Sequence, residues 1–247
     1  MQNNSTIKIV PDAAALNQAA AEEFCRCAEA AIAERGRFTV ALSGGSTPRS
    51  VYSLLAEWNK SGFRKIAWNK IFIFFGDERH VPPDHPESNY RMANESLLSH
   101  VPIPSRNVFR VHAELDANVA AQQYEDQLRK FFDLKPDEWP RFDLIMLGLG
   151  DDGHTASLFP GSLALNEDRR LVVANWVEKF QQDRITFTYP VLNHAAQVMF
   201  LASGQGKAQI LREVLHIKSD VFPAQRVRPK NGVLLWLVDQ DAARLLR

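Results

Sequence analysis

Cysteine is scarce: the 247 residues contain two, Cys25 and Cys27. Both fall in an Ala- and Glu-rich stretch that reads as helix, where positions i and i+2 point to different sides. No disulfide is expected between them, and both read as small buried hydrophobes of a reducing compartment. Long hydrophobic runs are missing too. Stretches such as Ile71 to Phe75 and Val233 to Val238 fall far short of the ~18 residues needed to span a bilayer. Met1 to Pro11 has no basic region followed by an apolar run, which argues against a signal peptide. Nor does one charge dominate. With 29 Lys plus Arg against 29 Asp plus Glu, the surface is not built to hold nucleic acid through bulk charge, although a small local pocket for an anion stays open. The expectation is a soluble cytoplasmic protein with neither nucleic acid nor membrane as a partner.

Some chemical motifs are absent as well. No Gly-x-Ser-x-Gly elbow exists, which argues against a serine hydrolase of the α/β-hydrolase type. Ala208 stands where a Walker motif would need Ser or Thr for magnesium. His80, Asp84 and His85 match no strong ligand spacing, so no metal is expected.

What is present is an ordinary globular mix, 45% apolar and 23% charged, long enough to bury a stable core without disulfides. Short apolar runs alternate with helix-like segments. The runs begin at Phe38, Ile71, Leu144, Val198 and Val233, and the helix-like segments at Ala13, Thr47, Tyr90, Asn118 and Lys207. Ile71 to Phe75 is apolar throughout, as suits a strand buried on both faces. This alternation predicts an α/β fold with a mainly parallel sheet. No composition shift marks a boundary, so residues 1–247 read as a single domain.

Ligands of such sheets bind at the carboxyl ends of the strands. Four of these ends are rich in Gly and polar residues. The first, Ser43-Gly44-Gly45-Ser46-Thr47-Pro48, leads into a helix with Thr47 as a candidate cap and Pro48 at the first position. It reads either as an anion site or as a tight, well-capped turn. The second, Gly76 to His80, sets Asp77, Glu78 and Arg79 directly after an apolar strand. The third, Gly148 to His154, fits a dinucleotide-binding pattern, but Asp151 and Asp152 would face a pyrophosphate and Pro160-Gly161 would cut the helix short. It also offers His154 beside Asp152, a base with an orienting carboxylate, against the plainer reading of a core or surface histidine. The fourth, Ser203 to Lys207, puts Lys207 where a helix dipole disfavours a cation unless an anion is bound; an exposed lysine is the alternative.

Taken together, these loops resemble the 6-phosphogluconolactonase branch of the sugar-phosphate family that also contains the glucosamine-6-phosphate deaminases. The matching stretches are Ala41 to Pro48, Phe75 to Pro82, Ser88-Asn89-Tyr90, Leu147 to Gly161, Arg184 to Thr188 and Gly204 to Ala208, in family order. The stretch around His154 is the most specific. The resemblance implies a three-layer α/β fold with a Rossmann-like, mainly parallel sheet flanked by helices, like that of the deaminases. It implies hydrolysis of 6-phospho-D-glucono-1,5-lactone to 6-phosphogluconate, the second step of the oxidative pentose phosphate pathway. The expected partner is therefore a small phosphorylated sugar lactone, with no cofactor and no metal.

On this basis the phosphate is assigned to Ser43, Gly44, Gly45, Ser46, Thr47 and Lys207, with Arg79 and Arg184 as further cations. His154 is the expected general base and Asp152 its orienting partner. Asp77 resembles the carboxylate that handles substrate protons in the deaminases, and sugar-hydroxyl binding is its other reading. In those deaminases a Glu follows the catalytic histidine about five positions on; here that position is Phe159. The rivals are a deaminase-isomerase and a sugar-phosphate sensor without chemistry. An intact His154, Asp152 and Asp77 speak against the sensor.

Overall fold

The computed structural model describes residues 5–217 and 220–246. In chain order the elements are β1 (Ser5–Val10), α1 (Ala13–Arg35), β2 (Phe38–Leu42), α2 (Ser46–Ser61), β3 (Ile71–Phe75), β4 (Asp77–Arg79), α3 (Asn89–Ser96) and α4 (Ala117–Phe132). They continue as β5 (Leu144–Gly148), β6 (Val172–Val177), β7 (Gln182–Phe187), α5 (Tyr189–His194), β8 (Gln197–Ala202), α6 (Ala208–His216), β9 (Val233–Asp239) and α7 (Gln240–Ala243).

Local chemistry explains the boundaries of the longest helix. The Asp12 side chain accepts the Ala15 N–H and starts α1; Gly36, at φ 75°, ends it with an N–H to the Ile32 carbonyl. The start of α2 differs from the sequence expectation. Gly45, at φ 109°, occupies the cap position with no side-chain bond, so Thr47 lies inside the first turn and Pro48 at its third residue. Proline is tolerated there because first-turn N–H groups have no partner within the helix.

Six strands pair in the order β1-β9-β8-β5-β2-β3, every pair parallel. β2 and β8 are buried at every residue, which is why they read as unbroken apolar runs. Two apolar clusters line the faces of the sheet. One packs Phe24, Tyr52 and Trp68 around β2 and β3; the other packs Tyr124, Phe142 and Phe187 beside β5 and β8. From β2 the chain moves outward to β3, whereas from β5 it moves the opposite way to β8 and β9. The crevice between the ends of β2 and β5 is thus the switch point where such folds bind ligands.

A second sheet was not foreseen. β4, β7 and β6 form an antiparallel three-stranded layer, with Asp77 opposite Thr186 and Arg79 opposite Arg184. The segment from Asp77 onward, read as a loop, is a short strand in this layer. Among the described residues, no helix is long and apolar enough to cross a membrane.

Candidate active site

The four loops singled out in the sequence converge on one cleft of about 330 Å³ at the β2–β5 switch point. Its walls include Ser43 to Pro48, Asp77, Arg79, Gly148 to Asp151, His154, Ser203 and Lys207.

The glycine loop is held from below by Tyr52. Its hydroxyl accepts the Ser43 N–H at 3.0 Å and donates to the Ser43 carbonyl at 2.9 Å. Ser43 Oγ is buried without a partner among the described residues, a hydroxyl left for a ligand. Gly44 is glycine for want of space: a Cβ there would lie 1.9 Å from Asn89 Oδ1. Beyond it, the Ser46 and Thr47 N–H groups stand in the first turn of α2, free to meet an anion.

His154 has its Nδ1 2.5 Å from Asp152 Oδ1. A carboxylate only accepts, so Nδ1 carries the hydrogen and Nε2 of the neutral ring keeps a lone pair. Asp152 is fixed in turn, its Oδ2 lying 3.2 Å from Lys179 Nζ. Burial opposes its ionisation, but the bonds from His154 and Lys179 prevail and hold its pKa at about 2. The His154 ring lies on Phe159, with centroids 4.0 Å apart. Asp152 itself faces a neighbouring cavity of about 430 Å³, which shares Lys179 with the cleft.

Asp77 is buried at the start of β4. Its Oδ2 accepts the Ser157 hydroxyl at 2.7 Å, and Asn89 Nδ2 donates to its backbone carbonyl at 2.9 Å. Arg79 donates to the Glu87 carbonyl and keeps its place on the cleft wall. Lys207 ends a 3-10 turn before α6 and pairs with Asp151, whose pKa it lowers.

Arg184 is the exception among the expected residues, because it does not line the cleft. It sits behind Phe180, with its guanidinium carbon 5.1 Å from that ring's centroid. It is 7% exposed, and its Nε and Nη1 have no partner among the described residues. Burial, then the charge of Arg79, lowers its pKa.

Sequence reasoning missed Lys179 and Phe180, which reach the cleft from the turn between β6 and β7. Asn89 was part of the resemblance but had no role. Its signal was position, in the Ser88-Asn89-Tyr90 stretch following the strand end. No cluster of three metal-ligating side chains exists among the described residues.

Comparison with known proteins agrees with this architecture. The family model described as glucosamine-6-phosphate isomerases/6-phosphogluconolactonase matches residues 11–236. A 6-phosphogluconolactonase from Nostoc sp. is 43% identical over 242 residues, covering 96% of each chain. The solved structure of a 6-phosphogluconolactonase from Trypanosoma cruzi is 31% identical with a TM-score of 0.86, covering 100% of this chain and 98% of that one. A monomeric glucosamine-6-phosphate deaminase, 21% identical with a TM-score of 0.80, covers 97% of this chain and 99% of its own, and shares the fold. With the family model spanning most of its length and a relative at 43% identity, the chain belongs to the glucosamine-6-phosphate isomerase and 6-phosphogluconolactonase family.

Proposed function

We propose that this protein hydrolyses 6-phospho-D-glucono-1,5-lactone to 6-phosphogluconate, with His154 as the general base. The observation that carries the reading is the His154–Asp152 contact in a cleft that also holds a helix N-terminus and Lys207. The names of the relatives support the same substrate.

The substrate has a phosphate at one end and a cyclic ester at the other. The phosphate takes the Ser46 and Thr47 N–H groups, the Ser43 hydroxyl and the Lys207 ammonium, with Gly44 and Gly45 allowing close approach. Arg79, on the cleft wall, is a further cation for it, whereas Arg184 lies outside the cleft and acts on the phosphate only through its charge. At the ester, His154 Nε2 takes a proton from water as the water oxygen bonds to the lactone carbonyl carbon. Asp152 stabilises the imidazolium that forms. The oxyanion needs a donor, either Arg79 or a backbone N–H of the glycine-rich loops. His154 then returns the proton to the ring oxygen as the carbon–oxygen bond breaks, leaving the open acid. Asp77, already bonded to Ser157, binds sugar hydroxyls.

The test is acid release from freshly prepared lactone at constant pH, with spontaneous hydrolysis subtracted. Catalysed release is expected. Binding of 6-phosphogluconate without any acceleration would instead mark a sensor and end this reading.

A further inference from the structure

In β4, Asp77 and Arg79 line the cleft, while Glu78 between them faces the other way and is 2% exposed. Its charge is met by donors rather than by a cation. Oε1 accepts the N–H groups of Arg79 at 2.8 Å and Asn89 at 2.7 Å. Oε2 accepts the Tyr90 N–H at 2.8 Å and the Ser88 hydroxyl at 3.1 Å. Burial pushes its pKa up and outweighs the three backbone N–H groups, which act the other way. A carboxylate this deep is costly unless every oxygen is satisfied.

More than helix capping is at work. Ser88 already caps α3 by accepting the Arg91 N–H. What Glu78 adds is a tie between a strand and a helix that both reach the cleft. Asn89, whose N–H it holds, donates to the Asp77 carbonyl and packs against Gly44 so closely that a Cβ there would clash. One buried carboxylate therefore joins the strand of Asp77 and Arg79 to the residue that touches both Asp77 and the glycine loop.

We propose that Glu78 is a positioning residue: it fixes the first turn of α3 so that Asn89 keeps Asp77, Arg79 and the glycine loop in mutual register. This rests on the lactonase reading, because the groups it positions are those assigned to the substrate.

The test uses Glu78→Gln in the full chain. The carboxamide keeps one accepting oxygen but turns an NH2 toward the Tyr90 N–H, so at least one bond is lost. The expected loss is about 10–100-fold in kcat/KM, the size that small misplacements cause, with KM rising because Asp77, Arg79 and the glycine loop hold the substrate. Amide exchange at Asn89 and Tyr90 should quicken, while that at Gly204 and Lys207 stays as in the native protein. Asp12→Ala, which removes the α1 cap far from the cleft, controls for stability and should leave kcat unchanged. A native KM with a kcat loss that merely follows the folded fraction, or native kinetics with native amide exchange, would overturn the proposal. If Glu78→Gln does not fold, Glu78→Asp carries the test, since it keeps the charge and the Ser88 cap but draws the carboxylate back from the Asn89 and Tyr90 N–H groups. It should quicken Tyr90 exchange and lower kcat/KM severalfold, and a native result in both overturns the proposal. A native protein without lactonase activity would end the functional reading instead, and the amide exchange would still report on Glu78.

Discussion

The rings of His154 and Phe159 stack with centroids 4.0 Å apart and 25° between their planes. Phe159 is buried and meets Phe180 edge-on at 5.8 Å, so one side of the imidazole is apolar. Nothing on that side can exchange a proton with the ring. Asp152 at Nδ1 is left as its only polar side-chain partner among the described residues. One base suffices for lactone hydrolysis. Opening an aminosugar ring and moving a proton between carbons calls for more acid–base groups.

The first prediction follows from that pairing. Incubated with glucosamine-6-phosphate under conditions where it cleaves the lactone, the protein should release no detectable ammonia and form no fructose-6-phosphate. Ammonia release at a rate comparable to lactone hydrolysis would overturn the assignment and remove the weight placed on Phe159.

Gly150 offers a second, steric test of the base. A Cβ there would lie 2.0 Å from His154 Nδ1, while the backbone needs no glycine conformation. Gly150→Ala should therefore keep the fold but push the ring off Asp152. Turnover is expected to fall by about 10²–10⁴, as for His154→Ala, the range for losing a general base. The two changes should not add when combined, since both disable one group. Near-native turnover in either variant would take His154 out of the mechanism.

The strands that proved legible in the sequence are those buried on both faces. β2, β3, β5, β8 and β9 read as apolar runs because apolar layers cover both faces of the parallel sheet. β1 escaped because it is an edge strand whose Ser5 to Ile9 are exposed. The second sheet escaped for a different reason. β4 is three charged residues, and β7 buries Arg184 and Thr186 among its apolar neighbours. Their pairing is set by tertiary contacts, such as Asn175 donating to the Ser157 carbonyl at 2.8 Å. The same gap explains the site. Loops following the large sheet's strands were readable from glycine and charge. Lys179 and Phe180 were not, because they stand on a turn of the small sheet, between β6 and β7, and follow no strand of the large one. The position of Arg184 behind Phe180 likewise depends on that turn.

Asp152 makes stability depend on pH. Its pKa of about 2 in the folded protein lies below the unfolded value of roughly 3.9. The group thus contributes stability above about pH 4 that is lost as pH falls through 2. The side chain is 30% exposed, so solvent screening reduces the contribution to about 1 kcal/mol. Asp152→Asn should cost that much at pH 7 by urea unfolding, with the gap to the native protein closing toward pH 2. A gap that is constant across this range would mean that the charge of Asp152 does not act on folding.

Lys207 tests the phosphate end, and Asp151 complicates the reading. In the protein the two are paired, so an arriving phosphate must share or displace the Asp151 carboxylate. Lys207→Ala removes the cation but leaves that carboxylate on the cleft wall, where it repels the substrate. The charge-assisted bond is worth about 1.5–3 kcal/mol, which corresponds to a rise in KM of roughly 10–150-fold for the phosphorylated lactone. Asp151→Asn combined with Lys207→Ala removes the repulsion as well, so its KM should fall between those of the single variant and the native protein. Unphosphorylated glucono-1,5-lactone should respond little to either change, because it presents nothing for Lys207 to hold. A folding defect would hit both substrates alike, so equal losses on the two lactones would remove the phosphate role from Lys207.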